Sequence, residues 1–266
     1  MDSNPSEPAA SGASGYGQHR QSAAGQAGYT VRFGWGLPGV AALAPHSDVL
    51  VVVDVITFST AVAVAMERGC RIYPHPWDPE TARARGLELG IPVAVSRSAV
   101  SPEHPYSLSP ATLSRAPTGT SIVLPSPNGS ALSAAAGQYP AQVLVGSLRN
   151  AFAVARFARQ QGKVISVIAA GERWADGSLD LALEDMIGAG AIIDGLRRRR
   201  RSPEATAAAV VYRQARKQGL RATLRECVSG REMRRREYGD ELEWAAALNV
   251  TTFVPVLHNG AFQGVG

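Results

Sequence analysis

The chain has 266 residues, of which 45% are hydrophobic and 18% are charged, with 27 basic side chains against 22 acidic ones. This length and apolar fraction suit one large α/β domain or two small ones, and they exclude a largely disordered chain. No segment approaches the roughly 20 uninterrupted apolar residues of a membrane span, and 2 cysteines are too few for a disulfide framework. We therefore expect a cytoplasmic protein that does not enter a membrane.

The net charge of +5 is concentrated in the last quarter of the chain. Residues 1–193 carry 13 basic and 14 acidic groups, whereas residues 194–266 carry 14 basic and 8 acidic groups. The surplus includes the run Arg197–Arg201, which either caps the C-terminus of a helix or contacts RNA. Any affinity for nucleic acid would be local to this region, and nucleic acid is not an expected partner.

Residues 1–28 are rich in Gly, Ala, Ser and Gln, which predicts a disordered tail before a folded domain of residues 29–266. From there, strand-like and helix-like segments alternate. The predicted strands are short apolar or alternating runs: Tyr29–Trp35, Val49–Val55, Arg71–Tyr73, Pro92–Val95, Ser121–Leu124, Val143–Gly146, Lys163–Ala169 and Thr252–Leu257. The predicted helices are Ser59–Gly69, Trp77–Gly90, Asn128–Gly137, Asn150–Gly162 and Leu181–Arg201.

This alternation predicts an α/β fold, with a mostly parallel sheet and helices on both of its faces. Residues 203–249 differ, because their pattern is helical and rich in arginine and contains no convincing strand. We expect them to form a helical, basic excursion near the end of the α/β domain.

Polar side chains follow four of the predicted strands at the point where each strand ends. Ligands bind at the carboxyl ends of strands in open parallel sheets, so these residues predict a site. They are Asp54, Ser59 and Thr60, then Ser126, Asn128, Gly129 and Ser130, then Ser147 and Asn150, and finally Glu172. Hydroxyls, amides and N–H groups at helix starts suit phosphate, and carboxylates such as Asp54 and Glu172 suit Mg²⁺. The pattern therefore favours a phosphoester site.

Most of these groups also have a structural alternative. Ser59, Thr60 and Asn128 can serve as helix caps instead of ligands. Glu184 and Asp185, near the start of a predicted helix, can simply complement its dipole. Asp54 is harder to explain by structure alone, because an uncompensated carboxylate after an apolar strand is costly.

Several catalytic motifs are absent from the sequence. There is no G-x-G-x-x-G after the first strand, no phosphate-binding P-loop, and no G-x-S-x-G at a strand–helix turn. The 5 histidines form no short-spaced pair of the kind that binds zinc. These absences argue against dinucleotide binding, nucleotide hydrolysis, α/β-hydrolase chemistry and a zinc centre.

Six segments, taken together and in order, resemble a known family. They are Val51–Gly69, Leu124–Ser133, Val143–Ala155, Val167–Asp194, Tyr238–Asn249 and Val254–Phe262. The chain is similar over these segments to the 2-phosphosulfolactate phosphatases, the ComB-like proteins. This resemblance implies an α/β phosphatase that depends on Mg²⁺ and hydrolyses 2-phospho-3-sulfolactate to 3-sulfolactate and phosphate, a step towards coenzyme M.

The resemblance also implies roles for particular residues. The family's acidic motifs fall on Asp54, on Glu184-Asp185 and on Asp240, and its polar motifs fall on Asn128-Gly129 and on Gly146, Ser147 and Asn150. Asp54, Glu184 and Asp185 are thereby implied to be catalytic. We expect Mg²⁺ to be held by Asp54 together with Glu172 and Asp240.

The sequence departs from the family pattern after the first aspartate, where members commonly carry an arginine and this chain has Thr57. Arg97, which lies in a segment that replaces a Glu-Arg-Gly-Gly motif, is a candidate substitute, because a guanidinium binds phosphate or sulfonate in a bidentate manner. The alternative function is a catalytically silent protein that binds a phosphorylated or sulfonated metabolite. The sequence leaves open whether the protein forms a homo-oligomer.

Overall fold

Ten strands and eleven α-helices make up the computed structural model, which describes residues 25–174, 176–197 and 200–266. Most of the predicted tail, residues 1–24, lies outside these ranges. The strands of the main sheet are β1 (Val31–Trp35), β2 (Val49–Val53), β3 (Arg71–His75), β4 (Ser121–Pro125), β5 (Gln142–Gly146), β6 (Ile165–Ala169), β9 (Val254–His258) and β10 (Ala261–Val265). A separate hairpin pairs β7 (Glu172–Arg173) with β8 (Leu179–Asp180).

The helices fall between the strands and then follow one another near the end of the chain. Those of the first part are α1 (Gly36–Leu43), α2 (Phe58–Glu67), α3 (Pro79–Leu89), α4 (Pro110–Leu113), α5 (Gly129–Ala136), α6 (Ala151–Gln161) and α7 (Leu183–Gly195). The basic excursion contains α8 (Pro203–Gln218), α9 (Leu220–Glu226), α10 (Val228–Arg235) and α11 (Glu241–Ala246).

The main sheet has the strand order β1-β6-β2-β5-β9-β10-β3-β4. The first four strands are mutually parallel, and β3 is parallel to β4. Antiparallel pairing joins β5 to β9, β9 to β10 and β10 to β3. The predicted α/β fold with a mostly parallel sheet is confirmed.

Helices cover both faces of this sheet, as the sequence predicts. Alternate residues of β2 divide between two apolar clusters, because successive side chains of a strand point to opposite faces. Val49, Val51 and Val53 pack with α6, α7 and α8, whereas Leu50 and Val52 pack with α1, α2 and α5. All five residues of β2 are buried, which explains its uninterrupted run of apolar residues.

Helix α2 is enclosed by the antiparallel half of the sheet. It contacts β5, β9, β10 and β3, and nine of its ten residues are buried. Small side chains in its FSTAVAVAME sequence allow this close enclosure. Because the sheet curves around α2, the carboxyl end of β4 reaches that of β2, although the two strands run in opposite directions within the sheet.

Two predicted elements were wrong in extent or type, and one strand of the main sheet was missed. Helix α7 ends at Gly195 instead of Arg201, because the chain then turns and Arg200 O accepts hydrogen bonds from the start of β1. Pro92–Val95 forms two isolated bridges and no strand, in keeping with the N–H that Pro92 lacks. Strand β10 was not predicted, although the turn before it contains Asn259 and Gly260, both with left-handed φ.

The excursion is helical in the described residues, as predicted, and much of its positive charge is paired. Its ion pairs are Arg213–Asp194, Arg221–Glu243, Arg234–Glu226 and Arg236–Glu232. These pairs reduce the unbalanced charge that a nucleic acid would meet. Within the described ranges, no helix has the length and apolar character needed to cross a membrane.

Helices α7 and α8 pack backbone to backbone at Gly190. A Cβ atom at this position would lie 2.1 Å from the Ala208 carbonyl oxygen and 2.8 Å from Tyr212 Cβ. We predict that Gly190→Ala lowers the free energy of unfolding by about 1–3 kcal/mol, because a backbone group cannot move aside as a side chain can. Urea denaturation measures this change. Ala207→Val, on the exposed face of α8, is the control, and equal stability of the two variants would contradict the close packing.

Candidate active site

A cavity of about 450 Å³ lies where β2 and β4 end and α10 approaches them. Five residues predicted from the sequence line it: Asp54, Arg97, Ser126, Asn128 and Glu172. The cavity also contains apolar groups, among them Ile56, Trp77 and Leu108. The predicted convergence of polar groups after β2, β4 and β6 is therefore present at one place.

Asp54 joins the starts of two helices. Its Oδ1 accepts a hydrogen bond from the Phe58 N–H at 3.2 Å, and its Oδ2 accepts one from the Gly129 N–H at 2.8 Å. These N–H groups belong to the first residues of α2 and α5. Because the N-terminus of a helix carries partial positive charge, both helices favour the ionised form of the carboxylate.

Gly129 is required by this close approach of α5 to β2. A Cβ atom at Gly129 would lie 2.2 Å from Phe58 Cδ1 and 2.8 Å from Asp54 Oδ2. The glycine of the Ser126–Ser130 segment therefore permits a contact between backbone and carboxylate that any side chain would obstruct. It does so as a structural residue, and its N–H is already used by Asp54.

Glu172 lines the cavity from the base of the β7–β8 hairpin. Its Oε2 accepts a hydrogen bond from Asn128 Nδ2 at 2.8 Å. The preceding residue, Gly171, has a left-handed φ of 68°, which glycine adopts without steric cost. This turn directs the chain from β6 into the hairpin and brings Glu172 towards Asp54.

Glu184 and Asp185 lie behind the cavity at the start of α7. Asp185 accepts hydrogen bonds from the N–H groups of Val55 at 2.7 Å and Gly171 at 2.9 Å, so it ties the segments that follow β2 and β6 together. Glu184 is 1% exposed. In the part of the chain that the structure describes, its Oε2 has no hydrogen-bond partner.

These carboxylates share a poorly solvated environment, which disfavours their charged forms. Burial raises the pKa of Asp54 to about 6, and the nearby charge of Glu184 adds to the effect. Burial also raises the pKa of Glu172 to about 7, with a further contribution from the charge of Asp54. The pKa of Asp185 is raised as well, first by burial and then by the charges of Asp54 and Glu184.

Two arginines line the cavity, and both are paired with carboxylates. Arg97 donates through Nε and Nη2 to Glu241 at 3.1 and 2.8 Å, and Nη2 also lies 3.1 Å from Thr57 Oγ1. Its guanidinium stands over the Tyr238 ring, 5.3 Å from the centroid. Arg236, directly after α10, pairs with Glu232 one helical turn earlier. Arg97 thus occupies the space beside Thr57, the position where the sequence departs from the family pattern.

Other predicted site residues lie outside the cavity lining. The hydroxyls of Thr60 and Ser130 donate to the carbonyls of Val55 and Leu124, and the Ser59 hydroxyl accepts from the Asp54 N–H. Ser147 and Asn150 form a capping box at the turn before α6. Asp240 is exposed at the start of α11. These side chains have structural partners or face solvent, and none of them lines the cavity.

Helix α10 supplies residues that the sequence analysis missed. Ser229, Glu232 and Met233 line the cavity, followed by Arg236 and Tyr238. The only signal for them in the sequence was the start of the family-like segment at Tyr238. Their approach to Asp54, more than 170 positions earlier in the chain, depends on how the excursion packs.

A comparison with protein families gives one match. The family model described as 2-phosphosulpholactate phosphatase matches residues 40–260, a range that contains every cavity residue named above. The chain belongs to the 2-phosphosulpholactate phosphatase family. This confirms the resemblance inferred from the six sequence segments, and it makes the protein a phosphoric monoester hydrolase.

We predict that Gly129→Ala in this phosphatase greatly reduces activity, by about 100-fold or more. The added methyl group must displace either the Phe58 ring or the Asp54 carboxylate, and a displacement of about 1 Å at a reacting centre costs about this much in rate. Phosphate release at saturating and limiting substrate measures the loss. Gly137→Ala is the matched control at the other end of α5, where the nearest atom is the flexible Leu257 side chain at 3.1 Å.

The raised pKa of Glu172 predicts how stability depends on pH without metal. In the folded protein the Glu172 carboxyl keeps its proton until the pH reaches its raised pKa of about 7. In the unfolded chain it releases this proton near its ordinary pKa of 4.5. This contribution to stability is present below pH 4.5 and is lost as pH rises through 7. At pH about 8, in a chelator, Glu172→Gln should therefore exceed the wild type in free energy of unfolding by about 1–3 kcal/mol.

Urea denaturation at pH about 5 and about 8 tests this prediction, because the advantage of Glu172→Gln should shrink at the lower pH. Gln retains an oxygen that can accept the hydrogen bond from Asn128. Glu88→Gln is the control, since Glu88 is exposed and pairs with Arg85 on the surface of α3. Identical pH profiles for Glu172→Gln and the wild type would contradict the prediction.

Proposed function

We propose that this phosphatase depends on Mg²⁺ and hydrolyses a small acidic phosphomonoester, such as 2-phosphosulfolactate, to the free alcohol and phosphate. The observation that carries the proposal is the cluster of poorly solvated carboxylates at the cavity. Asp54 and Glu172 face the cavity, and the buried Glu184 oxygen behind them has no hydrogen-bond partner in the described residues. A bound cation would compensate this concentration of negative charge.

The donor chemistry of this cluster fits Mg²⁺. Carboxylate oxygens are its preferred protein ligands, and it commonly uses only one or two of them, completing its coordination with water and substrate phosphate. This suits a site where, among the described residues, no three acidic, histidine or cysteine side chains form a closed metal cage. Asp54 and Glu172 would hold the ion. When bound, Mg²⁺ supplies positive charge against the phosphate oxygens.

The protein's own residues would bind and orient the substrate. The Asn128 amide fixes Glu172, and the Ser126 hydroxyl lines the cavity beside it. Asp185 holds the two backbone segments that carry Asp54 and Glu172 at a constant separation. A rigid support of this kind preserves the geometry that a reaction requires.

Acidic groups of the substrate would meet the two cavity arginines. The hydrogen bonds of Arg97 use Nε and Nη2 and leave Nη1 without a partner in the residues that the structure describes. Arg236 is 67% exposed at its side chain and can reorient within the cavity mouth. A sulfonate or carboxylate of the substrate can accept hydrogen bonds from either guanidinium.

Asp54→Asn tests the reaction directly. We predict that Mg²⁺-dependent release of phosphate from 2-phosphosulfolactate falls by about 100-fold or more, because the amide loses a charge and replaces one acceptor oxygen by a donor. That donor would face the N–H of Phe58 or of Gly129. Asp176→Asn is the matched control, since Asp176 is exposed in the β7–β8 hairpin.

Three outcomes of this assay are informative. An Asp54→Asn variant with the wild-type rate would remove Asp54 from the reaction. A wild-type rate that is unchanged by chelation of divalent ions would overturn the Mg²⁺ dependence. Wild-type protein that binds phosphomonoesters but releases no phosphate from any of them would favour the catalytically silent alternative.

A further inference from the structure

A second cavity adjoins the active site and has no role in the function described so far. It is a groove of about 820 Å³ between α3 and the segment of residues 91–99. Trp77, Val95 and Ser96 line both this groove and the active-site cavity. The two spaces are therefore neighbours, with Trp77, Val95 and Ser96 at their common border.

The groove has an apolar lining that nothing in the described residues covers. Leu87 is 78% exposed and Trp77 is 50% exposed, although both are large hydrophobic side chains. Ile91 and Val93 continue the same surface. Exposed apolar surface that is contiguous in this way marks a binding site more often than single exposed residues do.

The approach of α3 to the groove wall is close. A Cβ atom at Gly86 would lie 2.3 Å from Val93 Cγ2 and 3.0 Å from the Ile91 carbonyl oxygen. The glycine lets α3 lie against residues 91–93, so the wall of the groove is formed by packed elements and is not a gap between loops. Binding sites of small molecules are commonly pre-formed in this way.

The ionisable groups of the groove leave it without a strong net charge. Arg83, Glu103 and His104 line it, and the positive charge of Arg83 balances the negative charge of Glu103. The carboxylates of the active site lie beyond the junction, on the side of Asp54 and Glu172. Polarity therefore falls from the carboxylates of the cavity, past Trp77, to the neighbouring apolar groove.

We propose that the groove binds an apolar alkyl or aryl group carried by the alcohol part of the phosphomonoester, while the phosphate lies at Asp54. This inference rests on the proposed function, since it names the substrate class of the same site. Because the groove adjoins the cavity at Trp77, a group attached to the bound phosphomonoester is the occupant placed to enter it, and the lack of net charge favours an uncharged group. Its burial supplies binding energy at a distance from the reacting phosphate.

A series of n-alkyl phosphates tests this proposal. Ethyl, butyl and hexyl phosphate all release an unbranched primary alcohol, so differences in kcat/KM report contacts of the alkyl group with the protein. We expect kcat/KM with Mg²⁺ to rise about tenfold or more from ethyl to hexyl phosphate, since complete burial of each methylene is worth about a factor of three to four.

Leu87→Glu should abolish most of this rise and leave the rate on ethyl phosphate unchanged. Its side chain lines the groove but not the active-site cavity, and its exposure makes the variant compatible with folding. Val210→Glu is the matched control, because Val210 is 53% exposed on α8 and lies outside the groove. It should retain the full dependence on chain length.

Calorimetric binding of ethylphosphonate and hexylphosphonate separates this proposal from the proposed function, because phosphonates are not hydrolysed. Tighter binding of hexylphosphonate supports the groove even if no alkyl ester is turned over, because the phosphatase reaction is decided separately by release of phosphate from 2-phosphosulfolactate. Turnover of all three esters at one rate, together with equal binding of the two phosphonates, would overturn the groove and leave the phosphatase intact.

Discussion

The pair of hydrogen bonds to Asp54 organises the candidate active site of this phosphatase. One carboxylate accepts from the first N–H of α2 and from the first N–H of α5, so it fixes the ends of two strands and the starts of two helices together. The arrangement requires Gly129, whose missing side chain leaves room for the contact. It also requires the sheet to curve around α2, since β4 would otherwise end far from β2.

The same site carries a cost in stability. Burial raises the pKa of Asp54 to about 6 and that of Glu172 to about 7, so holding both ionised at neutral pH opposes folding. Asp185 offsets part of this cost through two backbone N–H groups, whereas the Glu184 oxygen finds no partner in the described residues. Unfavourable charge of this kind, kept in a cavity, is characteristic of functional sites.

The two cavity arginines depend on the helical excursion of residues 203–249. Arg97 comes from an irregular segment, is held by Glu241 of the excursion and reaches Thr57 beside Asp54. The basic excursion therefore has a definite place in the active site: it anchors one cavity arginine and contributes another, Arg236. Three of its other arginines, Arg213, Arg221 and Arg234, pair with acidic side chains at the surface.

The sequence by itself determined the α/β class, the buried strand β2, the helical excursion and the convergence of Asp54, Asn128 and Glu172, because hydrophobic period and strand-end position are local properties. It also determined the family. Only the tertiary structure decided that β3, β4 and β9 run opposite to the other strands of the main sheet, that Ser59, Thr60 and Ser130 bond to backbone, and that α10 closes the cavity. Those outcomes depend on contacts between distant segments, which no local pattern of residues encodes.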